Sequence, residues 1–185
     1  MRILVSATEG EDIVTLRAAS PEGRGQTCKP QEDAMIQIHK SETADTRTCD
    51  FTKVTKETLK ESSVSHIGDV RRGLQHFADM LARASSVHDA DKLTDLDGFH
   101  SDFTGGFKST VWWDEHRKIN RHHIDKADGI PEDVNLVDVI EHITDCVMAG
   151  MARSGSVYEL KLPDALLQRA FANTVSRLKE NIEVV

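Results

Sequence analysis

At 185 residues, with 38% hydrophobic and 29% charged side chains, the chain has the make-up of an ordinary globular protein with room for one real core. A formal charge of −8 argues against a surface for nonspecific nucleic-acid or anionic-membrane binding. It leaves room for a small phosphorylated ligand, because a metal ion supplies local positive charge whatever the net balance.

Cys28, Cys49 and Cys146 are widely spaced and form no CxxC pair, which excludes a zinc knuckle or a dithiol redox motif. Three scattered thiols and no signal-peptide run predict a soluble protein of the reducing cytoplasm, and the early ILV run is too short to span a membrane.

Two regions are expected, 1–53 and 54–185. The first is β-rich: Arg2 to Ser6 and Asp12 to Arg17 read as a hairpin around Glu9-Gly10-Glu11, and Ala34 to His39 as a third strand. Between them, Pro21, Gly23, Gly25 and Pro30 mark loop. From Thr55 the pattern turns helical. Ile67, Val70, Leu74, Phe77 and Leu81 recur at steps of three and four and predict one buried stripe, with His66 at its margin.

The next stretch, Val87-His88-Asp89-Ala90-Asp91-Lys92-Leu93, opens a helix carried by Leu93, Leu96, Phe99 and Phe103 until Gly105-Gly106 breaks it. Ser109 or Thr110 is placed to cap a further helix from Val111 to about His123, on which His116 and His123 share a face and His122 points about 100° away. Either that helix ends early enough for both His122 and His123 to reach metal, or one of them only supports. Asn135 with Asp138 at its third position is a capping-box start. Leu136, Ile140, Ile143, Val147 and Met151 predict the buried face of that helix, and Asp138, Glu141, His142 and Asp145 lie on another. Pro163 starts a last helix with Leu166, Leu167, Ala170, Phe171, Val175 and Leu178 on its apolar side.

Eight of the nine histidines fall between His66 and His142, interleaved with aspartates. Imidazole nitrogen with carboxylate oxygen suits Mn, Fe, Co, Ni or Zn. The ordered set His66, His88-Asp89, His116, His122-His123, then Asp138 with Asp145 in reserve, predicts a site for one or two such ions. Lys92, three residues after Asp89, is placed to reach a bound phosphoryl oxygen; Arg121 and Arg153 are further candidates for that contact.

The order His66, His88-Asp89, Asp138 resembles the HD-domain superfamily of metal-dependent phosphohydrolases. HDADKL, the H-x5-HH spacing ending in NRHH, and DVNLVDVIEHITDCV are similar to a poorly characterised HD-like family common in tailed phages, over roughly residues 45 to 180. The resemblance implies a mainly α HD-domain helical bundle, with the small N-terminal β segment outside it. It also implies a binuclear centre: His66, His88, Asp89 and Asp138 around one ion, His116, His122 and His123 around the other, and Asp89 bridging. The short spacing between His116 and His122, and the lack of a GYP motif, depart from the cyclic-dinucleotide phosphodiesterase branch.

The activity so implied is hydrolysis of a nucleotide phosphoester or phosphoanhydride, with a deoxynucleotide as the expected substrate and Asp89 and Lys92 as catalytic residues. Two other classes stand beside it: a di-iron oxygenase with the same ligand order, and a non-enzymatic phage protein that sequesters a nucleotide signal of host defence. A small phosphorylated molecule is the expected partner, in the host cytoplasm for a phage-encoded chain, and homo-oligomer formation is left open.

Overall fold

The computed structural model describes residues 35–39, 52–125 and 130–185, all within the compact unit Asp33–Val185. The expected hairpin over residues 2–17 lies outside the described residues. The described part is mainly helical, as the periodicities predict. In chain order it runs β1 (Ile36–Ile38), α1 (Lys56–Val87), α2 (Asp91–Thr94), α3 (Leu96–Thr104), α4 (Val111–Ile119), α5 (Leu136–Ser154), α6 (Asp164–Glu180) and β2 (Ile182–Val184). None of the described helices is long and apolar enough to cross a membrane.

Helix α1 starts where Thr55 accepts a hydrogen bond from the Thr58 amide, and it runs unbroken for 32 residues. Its buried residues are Ser62, His76 and Met80, whereas Ile67, Val70 and Leu74 of the expected stripe are exposed. Helix α1 packs on α5, where Leu81, Ala84 and Ser85 near its C-terminal end face Ile140, Thr144 and Met148 across a shared hollow. The expected single helix over Leu93–Phe103 is two, because Asp95 leaves helical geometry (φ −126°, ψ 58°) and caps α3 by accepting from the Gly98 amide.

The core is small and lies beneath the site. Ile124, Val134, Val139, Leu166 and Ala170 are buried together, with Ile130, Leu136 and Leu162 against them. Helix α6 fastens the start of α5: Thr174 Oγ1 accepts the Leu136 amide at 2.8 Å, and Asn173 Nδ2 donates to the Val134 carbonyl at 2.9 Å. The capping box is present as expected, with Asn135 accepting from the Val137 amide and Asp138 accepting from the Asn135 amide. Strand β1 pairs in parallel with β2, Ile36 opposite Ile182, which ties Ile36–Ile38 to the far end of the chain.

Burial on α5 runs opposite to the apolar pattern. Ile140, Ile143 and Met151 are exposed, while Asp138 and His142 are buried alongside Val137 and Val139. The polar face that usually meets water turns inwards here, towards the histidines.

Candidate metal centre

Three segments converge on one carboxylate. The first is the residue pair that ends α1. His88 closes the helix, and Asp89 follows in the left-handed region at φ 52°, a conformation that costs a non-glycine residue about 1–3 kcal/mol. Asn120 secures it, its Oδ1 accepting the Asp89 amide at 3.1 Å. The second segment is α4 with the turn after it. That helix stops at Ile119, earlier than the sequence predicts, and the His122 carbonyl accepts the Ile124 amide at 2.8 Å in a tight three-residue turn. Because the helix has ended, His122 and His123 both turn to the same side as His116. The third is the inward face of α5, carrying Glu141, His142 and Asp145.

The Nε2 atoms of His116 and His122 each lie 3.5 Å from Asp89 Oδ1, and His88 Nε2 lies 3.6 Å from Asp89 Oδ2. His123 Nε2 is 2.8 Å from His116 Nε2. Two overlapping triads result, His88–Asp89–His122 and Asp89–His116–His123, each with ligand atoms within 4.8 Å of one another. These clusters could hold metal ions, with Asp89 common to both.

In three of the four rings the other nitrogen is held by a carboxylate. Glu141 Oε1 lies 2.8 Å from His88 Nδ1 and 3.0 Å from His122 Nδ1. Asp91 Oδ2 lies 2.7 Å from His116 Nδ1, and Asp91 is fixed in turn by Asn120 Nδ2 at 2.9 Å. A carboxylate on Nδ1 keeps the proton there and leaves the Nε2 lone pair for a cation, the arrangement found behind metal-bound histidines. Trp112 and Trp113 both stack on His116, with centroids 4.7 and 5.1 Å away, which restrains its ring.

The donor set passes a test of fit. Asp89 Oδ1 and His122 Nε2 are buried and have no hydrogen-bond partner among the described residues. A buried polar atom left without a partner costs about 1–3 kcal/mol, and a shared cation satisfies both. Burial pushes the His123 pKa down to about 4, helped by the nearby His122 and His116, and burial lowers His122 as well. Both rings are therefore neutral, as a ligand must be. Burial alone raises Asp89, but the hydrogen bond and charge of Lys92 outweigh it and hold the carboxyl below its usual range.

Several candidates stand elsewhere. His66 is exposed in α1, 22 positions before His88. At 1.5 Å per residue on a continuous helix that is about 33 Å, so His66 does not belong to the cluster. Asp138 is buried near it but engaged: Arg121 Nε and Nη2 donate to its two oxygens at 2.8 and 2.9 Å, and the Asn135 amide donates at 2.9 Å. Arg121 also donates to Asp133 at 3.0 Å, and its bond to Asp138, against the opposing effect of burial, raises its pKa. Both residues therefore build the fold, and Asp138 belongs to neither triad.

The reserve carboxylate is the better placed one, with Asp145 Oδ1 3.8 Å from His88 Nε2. Lys92 contacts Asp89. Arg153 is exposed in the last turn of α5, eight residues and about 12 Å along the helix from Asp145.

Sequence reasoning missed Glu141, Asp91 and Asn120 as supports. Asp138's capping-box position already marked it as occupied, and Glu141, one turn further on, was the next acid on the same face. Comparison with family models, with curated proteins and with solved structures gives no match to this chain.

Proposed function

We propose that the chain is a metal-dependent phosphohydrolase acting on a nucleotide phosphoester or phosphoanhydride, through two metal ions that the triads sharing Asp89 would hold. The carrying observation is the convergence of four histidine Nε2 atoms on Asp89 while Glu141 and Asp91 occupy Nδ1 of His88, His122 and His116. Nitrogen-rich donors with few carboxylates favour Mn, Fe, Co, Ni or Zn over Mg or Ca. Bound ions of this kind would supply a water of lowered pKa and positive charge against phosphoryl oxygens.

The protein's own residues do the rest. Glu141 and Asp91 fix the rings and keep Nε2 unprotonated. Asp89, held ionised by Lys92, is common to both triads, its Oδ1 facing His116 and His122 and its Oδ2 facing His88. Lys92, about one-third exposed, is free to lend its ammonium to a phosphoryl oxygen once Asp89 is taken by cations. Asp145, at the open edge beside His88, is the carboxylate placed to close the coordination shell or accept a proton. The HDADKL resemblance supports phosphoryl chemistry and the nucleotide class.

The test is elemental analysis of protein purified without chelator, followed by assays of nucleotide hydrolysis with Mn, Co, Fe and Mg. Two equivalents per chain, lost together with phosphate release in His88→Ala/Asp89→Ala, are expected. Iron-dependent oxygen uptake without phosphate release, or metal-replete protein that binds nucleotides without turnover, overturns the reading.

A further inference from the structure

Two hollows adjoin the histidine cluster, and their characters differ. One, of about 370 Å³, opens on the His123 side between Trp113, Arg117, His142, Asp145 and Lys161. The other, of about 380 Å³, opens on the His88 side between the end of α1 and the middle of α5. Leu81, Ala84, Ser85 and His88 line it from α1, at the three- and four-residue steps of one helical face. Ile140, Glu141, Thr144, Asp145 and Met148 line it from α5 in the same way.

The second hollow is apolar along its length and acidic at its inner end, and no lysine or arginine is among its described lining residues. Ile140 and Met148 remain exposed there, 46% and 66% accessible, beside a charged cluster. A phosphoryl dianion gains nothing from such walls and is repelled by Glu141 and Asp145. An aromatic ring gains by leaving water. The volume lies at the small end of the range for small-molecule sites, roughly 300–1,000 Å³.

We propose that this hollow receives the aromatic part of the substrate, a ring system of nucleobase or aryl size, with Ala84, Ile140 and Met148 determining its shape. The ring lies between α1 and α5, and the phosphoryl group leaves the hollow at its His88–Asp145 end to meet the metal centre. The inference rests on the phosphohydrolase reading above for the identity of the charged group, and on the hollow alone for the aromatic one. Selectivity therefore comes from apolar fit on one side of the centre and not from a cationic pocket around a phosphate chain.

The test compares phenylphosphonate with methylphosphonate by calorimetry on metal-loaded protein, and phenyl phosphate with methyl phosphate in turnover. Wild type should prefer the phenyl compound by roughly tenfold or more, the scale on which apolar pockets discriminate. In Ala84→Trp, which fills the hollow, the phenyl-to-methyl ratio should fall towards one while elemental analysis still finds the wild-type metal content. Met148→Ala, at an exposed position, should lower the ratio severalfold and carries the same test should Ala84→Trp not fold.

Equal binding of the two phosphonates by wild type, or a ratio that neither variant moves, overturns the inference. Phenyl preference in binding without hydrolysis of phenyl phosphate leaves the hollow's role standing and removes the hydrolase reading. Hydrolysis with no phenyl preference does the reverse.

Discussion

His123 Nε2 and His116 Nε2 face each other at 2.8 Å, although one ring comes from α4 and the other from the turn after it. With Asp91 Oδ2 at 2.7 Å, Nδ1 is the favoured place for the proton of a neutral His116. Its Nε2 is thus a lone pair, and burial keeps His123 neutral at ordinary pH. Two imidazole nitrogens held this close need a proton or a cation between them. Asp89 Oδ1 beside them makes a divalent cation the better solution.

Metal removal should therefore loosen the protein as well as silence it. A ligand present at about 100 times its dissociation constant stabilises the folded state by about 2.7 kcal/mol. For a chain of this size that corresponds to roughly 5–10 °C in Tm. Thermal melts before and after chelation, then after adding back Mn, Co or Zn, should show the loss and its recovery. An unchanged Tm with two metal equivalents bound would mean that the ions sit elsewhere.

The Glu141 carboxylate orients two histidines at once, so its loss should be felt at the first triad. Glu141→Ala is expected to weaken metal binding about 10–100-fold, the usual effect of removing a histidine's hydrogen-bond partner behind a metal. The first equivalent should become exchangeable while the triad of Asp89, His116 and His123 keeps its ion. Competitive titration against a chelator measures both. Equal weakening of both sites would instead point to a general disturbance of α5.

Arg121 and Asp138 should behave as fold residues. Asp138→Ala removes a two-pronged contact and half of a capping box, and Arg121→Ala removes the two-pronged contact alone. Since Arg121 is partly exposed, the expected cost is about 1–3 kcal/mol, the scale of hydrogen bonds to charged groups. Denaturant unfolding should record it, with two metal equivalents still bound in the folded protein. Asp145→Asn should give the opposite result, with little change in stability and lower metal affinity or turnover. His66→Ala should change neither.

These contrasts mark what the sequence could and could not reveal. Helices, the Asn135–Asp138 capping box and the histidine cluster were legible, because periodicity, capping spacing and ligand chemistry are local properties, whereas the expected Ser109 or Thr110 cap of α4 is replaced by Asp102 from the neighbouring helix. The place of His66 was not, since His-to-His spacing does not say whether a helix between them turns back or runs straight. The choice of Asp138 over Asp145 failed for a related reason: both lie on one face of α5, and only the partner across the gap, Arg121 or His88, separates them. The exposed Ile67, Val70 and Leu74 show the same limit, because a stripe reveals which residues could be buried together and not what covers them.

Gly98 should be needed for the second triad although it touches none of its atoms. A Cβ there would stand 2.5 Å from Asp95 Oδ2 and 2.7 Å from Trp112 Cδ1. Asp95 caps α3 and Trp112 stacks on His116, so Gly98→Ala must displace one of them. The expected result is a destabilisation of about 1–3 kcal/mol, as for overpacking elsewhere, with weaker binding of the second equivalent and altered tryptophan fluorescence. Full retention of both equivalents would show that His116 is held by Asp91 alone.

Acid stability should depend on Asp102 in a defined direction. Its carboxylate accepts from Ser109 Oγ at 2.6 Å and from the Trp113 amide at 3.0 Å, capping α4 from the neighbouring helix. Thr110, at the N-cap position, makes no side-chain cap bond. The Ser109 bond, then the Trp113 amide, hold the Asp102 pKa below its ordinary value. The ionised form is therefore favoured in the folded state, and its contribution is complete above the unfolded value of about 3.9 and lost as pH falls through the folded one. Asp102→Asn keeps an acceptor but never the charge. It should be less stable than wild type at pH 7, and the gap should close as pH falls below about 4, where wild type protonates too. Paired denaturant melts from pH 7 to pH 3 measure the gap, and a constant difference across that range would rule out the charged cap.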